Sequence, residues 1–142
     1  MNMAKKQAPV KKNETITIQI EDLTSEGNGV GKVNGYPIFT PYALPGEEAV
    51  IKVVKVNKNL AFGKLLEVKQ ESPERVAPPC DVFYQCGGCQ LQHMSYDLQL
   101  EMKRNQVKNV MKKIAHLESV PVHPTIGMDD PWRYRNKSQV PV

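Results

Sequence analysis

Three cysteines, the chain's full complement, fall within Pro78-Pro79-Cys80-Asp-Val-Phe-Tyr-Gln-Cys86-Gly-Gly-Cys89-Gln-Leu-Gln-His93, spaced C-x5-C-x2-C. Gly87 and Gly88 permit a tight turn, so the sulfurs of Cys86 and Cys89 are able to converge on one metal or cluster. Closed zinc sites and iron–sulfur clusters usually take four protein ligands, and three thiols are an incomplete set. Two completions fit the spacing. A zinc knuckle would use Cys80, Cys86, Cys89 and His93, with C-x2-C-x3-H between the last three. A [4Fe–4S] cluster would use the three cysteines and a fourth from elsewhere. The plain alternative is three unmetallated thiols, which their clustering beside Gly-Gly disfavours.

A second set of residues with chemical potential lies near the other end. Pro131-Trp-Arg-Tyr-Arg-Asn-Lys137 alternates cations with aromatics. Arg133, Arg135 and Lys137 suit phosphates, and Trp132 and Tyr134 suit stacked bases. The same alternation describes a plain strand with buried aromatics.

Elements must hold these residues in place. The chain has 142 residues, enough for one ordinary domain or two small ones, and a net charge of +4 that permits a nucleic-acid partner without requiring one. Its apolar runs fall far short of the roughly 20 residues of a membrane span. Residues 1–12 hold four lysines (5, 6, 11 and 12) and no apolar block, so they read as a disordered basic tail rather than a secretory signal. With an odd number of cysteines and no export signal, reduced thiols in a cytoplasm are expected.

Residues 13–70 read as a five-stranded barrel of the oligonucleotide-binding kind. Thr15-Ile-Thr-Ile-Gln-Ile-Glu21 alternates, placing Ile16, Ile18 and Ile20 on one face. Ser25-Glu-Gly-Asn-Gly-Val-Gly31 offers a bend or a close backbone approach, and Asn34-Gly35 signals a type I′ hairpin leading into Ile38-Phe39. Glu48–Val56 and Leu60–Val68 give two further strands, separated by Asn57-Lys58-Asn59. Closure would remove the exposed edges. Six lysines against seven acids across 13–70 mean that nucleic-acid binding by the barrel needs a local patch.

Residues 71–94 are a proline-rich linker and the cysteine motif. Residues 95–142 begin with a helix capped by Ser95 and running to about His116. Tyr96, Leu100, Val107, Val110, Met111 and Ile114 form its apolar stripe, and its lysines form a solvated face.

Two stretches resemble the amino-terminal part of the 5-methyluridine RNA methyltransferases, specifically the 23S ribosomal RNA (uracil-5-)-methyltransferases. The barrel with Gly27-x-Gly29-x-Gly31 and Phe39-Thr-Pro-Tyr-Ala-Leu-Pro-Gly-Glu47 resembles a TRAM domain, a small RNA-binding barrel. Cys80-x5-Cys86-Gly-Gly-Cys89-Gln-x-Gln-His93 resembles that family's iron–sulfur motif, its most specific feature. Pro131–Lys137 is similar to the segment that opens the family's central RNA-contacting domain. The resemblance implies a [4Fe–4S] cluster on Cys80, Cys86 and Cys89 with a downstream fourth cysteine. It also implies RNA contacts from Arg133, Tyr134, Arg135 and Lys137, and 23S rRNA as partner of a monomeric cytoplasmic enzyme.

Such an enzyme further needs a Rossmann-like S-adenosylmethionine domain, a nucleophilic cysteine and a base, none of which this sequence offers. The fold expected is therefore β then α+β: a TRAM-like barrel followed by the start of a cluster-binding central domain, catalytically inactive alone. A free-standing zinc or iron–sulfur RNA-binding module, or a tRNA uridine methyltransferase, are the competing readings. A radical S-adenosylmethionine enzyme fits worst, because those typically use C-x3-C-x2-C and carry the barrel after the cluster.

Overall fold

β-Branched residues alternating with polar ones build the first half of the chain. A computed structural model describes residues 7–139 and 142. β1 (Thr15–Leu23) turns Ile18 and Ile20 inward, and β2 (Asn28–Val33), β3 (Tyr36–Pro41), β4 (Glu48–Val56) and β5 (Ala61–Gln70) follow. They close into a barrel in the order β1-β2-β3-β5-β4, with β1 paired back onto β4. The β3–β5 seam is parallel (Ile38↔Ala61, Phe39↔Phe62) and the other pairings are antiparallel. Ile18, Ile20, Ile38, Ala49, Ile51, Val53 and Ala61 fill the interior. Tyr36 plugs one end, its hydroxyl 2.6 Å from the carbonyls of both Asn57 and Leu60.

The glycine stretch serves both of its expected purposes. Gly27 (φ +84°) makes the bend, whereas Gly29 and Gly31 lie inside β2, which thus starts earlier than the hydrophobic pattern indicated. A Cβ on Gly29 would sit 2.6 Å from the Ala43 carbonyl oxygen, and one on Gly31 2.6 Å from Ile18 Cδ1. Asn34 (φ 51°) and Gly35 (φ 79°) take the two positive φ values of the type I′ turn.

Of the basic tail expected over residues 1–12, residues 1–6 lie outside the described residues. Disorder does not extend through the rest. Val10 is 4% exposed in the barrel core with Ala8 packed against it, and Asn13 N–H donates to Val53 O at 2.7 Å. One valine at the barrel's end is enough to fix this short segment.

Beyond the barrel, α1 (Phe83–Cys86) is a single turn and α2 (Tyr96–Lys113) a full helix. Ser95 caps α2 as expected, its Oγ accepting from Leu98 N–H at 3.1 Å. The expected stripe packs only at its start, where Tyr96 and Leu100 are half-buried against residues 125–128. α2 meets the barrel through its first two turns, where Leu98 and Met102 join Leu44, Met94, Leu23 and Leu91 in a second small core. Val107, Val110 and Ile114, further along, are exposed. Residues 131–137 form no strand, since Arg133 (φ 58°) breaks the extended backbone. Among the described residues no doubly wound parallel sheet occurs, and no helix is long and apolar enough to cross a membrane.

Candidate nucleic-acid interface and cysteine loop

Short pairing closes the base of the cysteine segment. Arg75 and Met94 form an isolated antiparallel bridge, Val76 N–H donates to His93 O at 3.0 Å, and Ser95 N–H donates to Glu74 O at 2.8 Å. The Ser95 hydroxyl also donates to the Glu74 carboxylate. Residues 77–92 are therefore a loop on a fixed stem. Phe83, 2% exposed, is its interior anchor. Its ring stacks on His93 (5.7 Å, 26°) and meets Tyr42 edge-on (5.4 Å), so an aromatic wedge from the β3–β4 turn holds the loop against the barrel.

The three thiols sit on the loop's outer side and are free. Cys80 and Cys86 are exposed and Cys89 is half-buried. Gly87 in the left-handed region (φ 71°) ends the α1 turn between Cys86 and Cys89, as the Gly-Gly implied. In chemistry this donor set fits a thiolate-ligated cluster, supplying three of its four ligands. In geometry the sulfurs are not gathered: among the described residues no three His, Cys, Asp or Glu side chains group to hold a metal ion.

His93 is not brought to the cysteines. It lies fully buried between Phe83 and Tyr42, and neither ring nitrogen has a hydrogen-bonding partner among the described residues. Burial, reinforced by the nearby Arg75 guanidinium, lowers its pKa to about 4, so it is a neutral packing residue at pH 7.

Sequence reasoning missed the pair that ties stem to barrel. Glu47, 0% exposed, accepts from Arg75 Nε and from its terminal nitrogen, both at 2.7 Å, and from Leu44 N–H at 2.7 Å. Arg75 also donates to Tyr42 O. Burial pushes the Glu47 pKa up, but the Arg75 and backbone hydrogen bonds outweigh it and hold the carboxyl below its ordinary value. A Pro-Gly-Glu turn and an arginine in a proline-rich linker carry no local sign of meeting.

The basic, aromatic segment folds back over the loop. Arg135 donates to Gly88 O at 3.1 Å and lies 3.8 Å from Cys89 Sγ. Arg133 pairs with Asp130 at 2.7 Å, and Tyr134 and Lys137 are exposed. Trp132, Arg133, Tyr134 and Arg135 thus line, with Cys89 and Lys103, an open groove of about 830 Å³ between the loop, the start of α2 and the segment itself. Cations and exposed rings converging on one concave surface suit an unpaired nucleotide strand.

The family model of the TRAM domain matches residues 9–66. The barrel is a TRAM domain. A protein of Oceanobacillus iheyensis named an uncharacterized RNA methyltransferase is 64% identical over 140 residues, which are 99% of this chain and 30% of that protein. One of Halalkalibacterium halodurans with the same name is 59% identical over 140 residues, 99% of this chain and 31% of that protein. The chain spans about 30% of the length of these curated relatives. The crystal structure of Pyrococcus abyssi tRNA (uracil-54, C5)-methyltransferase with S-adenosyl-L-homocysteine is similar over 67% of this chain and 21% of that one, at 34% identity and TM-score 0.51. Each likeness extends past the TRAM domain: at 99% and 67% of the chain, neither fits within residues 9–66.

Proposed function

We propose that this chain is the RNA-binding, amino-terminal portion of an S-adenosylmethionine-dependent methyltransferase that makes 5-methyluridine in 23S rRNA. The observation that carries the reading is near-complete alignment, at 64% and 59% identity, with proteins named RNA methyltransferases. The groove adds a physical reason. Arg133 and Arg135 in its lining, and Lys137 two residues further along the segment, neutralise phosphates, and Tyr134 with Trp132 offers rings to unpaired bases. Glu47–Arg75 and the Phe83 wedge fix the loop side of that surface to the TRAM domain. The methyl donor, nucleophile and base belong to parts of the parent enzyme outside these residues. The chain's share of the work is to bind and orient RNA, as a monomer in the cytoplasm.

Cys80, Cys86 and Cys89 would hold a [4Fe–4S] cluster, with a fourth cysteine from later in the parent. When bound, the cluster would cross-link the outer side of the loop and stiffen the groove wall that Cys89 forms. A second reading, a tRNA substrate, is favoured by the archaeal neighbour, whose name specifies tRNA.

Fluorescence anisotropy with a uridine-containing RNA hairpin tests the proposal. Micromolar or weaker, salt-sensitive binding is expected, weakened several-fold by Arg133→Ala plus Arg135→Ala on every sequence alike. Unchanged affinity in that double variant rejects the groove. Tighter binding of intact tRNA than of an rRNA hairpin decides for the second reading.

A further inference from the structure

Helix α2 carries apolar side chains in two directions. At 100° per residue, Leu98 and Met102, which pack on the barrel side, centre roughly 130° around the axis from Val107, Val110 and Ile114. Tyr96 and Leu100 point the second way and have a cover of their own. Residues 122–128 run back along that side: Arg104 Nε donates to Val122 O at 3.0 Å, Thr125 Oγ1 to Leu100 O at 2.8 Å, and Met128 N–H to the Tyr96 hydroxyl at 2.9 Å. Among the described residues this cover stops at Arg104. Past it, Val107 and Val110 are 45% and 44% exposed and Ile114 is 73% exposed. Leu117, half-exposed, extends the strip, because its N–H donates to Met111 O at 2.9 Å and ties it to the last turn. Lys108 and Lys113, both exposed, border the strip on either side.

The barrel cannot cover this strip, since it lies against another side of the helix. A second copy of the chain is a poor occupant on grounds of area. Four aliphatic side chains, each less than three-quarters exposed, offer on the order of a few hundred Å². A stable association between free proteins takes about 800 Å² from each partner. A surface tethered in the same polypeptide needs far less, because the tether supplies an effective concentration in the millimolar range. The relatives contain such a surface in principle: they match this chain over 99% of its length, yet most of each lies outside the match.

We propose that the last two turns of α2, through Val107, Val110, Ile114 and Leu117, are the docking surface for the remaining part of the parent polypeptide, which meets them with an apolar face rimmed by carboxylates. The layer begun by residues 122–128 over Tyr96 and Leu100 is thereby continued to the end of the helix. This inference rests on the reading of the chain as a portion of a longer enzyme and gives α2 a task in it. Tyr96, Gln99 and Lys103 line the RNA groove at one end of the helix. Ile114, fifteen residues beyond Gln99, lies roughly 22 Å further along the axis. One rigid helix thus sets the distance between the bound RNA and the part of the enzyme docked at its far end.

Hydrogen exchange in the 142-residue chain and in the full-length parent tests the proposal. Amides of residues 107–114 should exchange about tenfold or more slowly in the full-length protein, and equal rates in the two proteins overturn the docking surface. Val110→Gln plus Ile114→Gln keeps good helix formers at exposed positions, so the 142-residue variant should retain its helical circular dichroism and its melting midpoint. The same pair should abolish the extra protection in the full-length protein; protection that survives it rejects this face. Sedimentation velocity separates the other occupant: the 142-residue chain should run as a monomer, and a dimer that the glutamine pair dissociates overturns the proposal in favour of a second copy. RNA affinity of the 142-residue chain should not change in the variant. Lost RNA binding by the unaltered chain, with the protection intact, rejects the groove and supports the docking surface; the opposite pattern rejects the docking surface alone.

Discussion

His93 titrates far from neutrality because folding places its ring between Phe83 and Tyr42 and near Arg75. The unfolded chain takes up a proton near pH 6.5, whereas the native one resists until about pH 4. Over that interval the unfolded state binds more protons, so stability falls as pH drops from 6.5 to 4, by on the order of 3 kcal/mol. Glu47 acts in a different window. Its lowered pKa stabilises the fold above the ordinary value of 4.5, and this is lost as pH falls further through the lowered native value. The slope between pH 6.5 and 4.5 is therefore His93's own. Urea midpoints across that range should flatten in His93→Leu, and parallel slopes in the two proteins would refute the assignment. None of this was legible locally. His93 follows Cys89 at ligand spacing, and the rings that bury it come from residue 83 and from the barrel.

Among the elements, the barrel strands were legible wherever side chains alternate. β1 and β4 carry β-branched residues inward, and Asn34-Gly35 names its own turn type. β2 was obscured because Gly29 and Gly31 contribute no side chain to an alternation. Their meaning is steric and long-range, since Ala43 and Ile18 press against them. Gly29→Ala should thus destabilise the barrel by about 1–3 kcal/mol, the usual cost of overpacking. The Cβ would meet backbone, which cannot swing aside as a side chain does. Thermal melts should show a lowered midpoint, and a parent-like one would mean that β2 and the Ala43 turn separate at little cost. For α2 the sequence named the cap correctly and the packed face in part: Tyr96 and Leu100 are covered, whereas Val107, Val110 and Ile114 are not. Helical periodicity marks every apolar position, but which of them is covered depends on where the barrel stops.

At the scale of the whole molecule, barrel, loop and helix are joined by the Glu47–Arg75 pair, the Phe83 wedge and the second core of Leu44, Met94 and Met102. The proposed cluster would sit outside all three. With three thiolates, chain purified in air should retain little or no iron. Anaerobic reconstitution with ferrous iron and sulfide should give broad visible absorbance that Cys86→Ser abolishes. Stoichiometric zinc in place of iron in anaerobically prepared full-length enzyme would overturn the cluster. Barrel closure, finally, imposes an order in time. The seams Ile18↔Ala49 and Ile38↔Ala61 join residues 31 and 23 positions apart. A ribosome delivers about 5–20 residues per second, whereas a hairpin forms in about 1–10 μs. The β2–β3 hairpin is thus complete long before β5 exists, and β3 waits with an unpaired edge until Ala61 and Phe62 leave the exit tunnel. Nascent chains halted before β5 emerges should be cut readily by added protease, and those halted well beyond Gln70 should resist it.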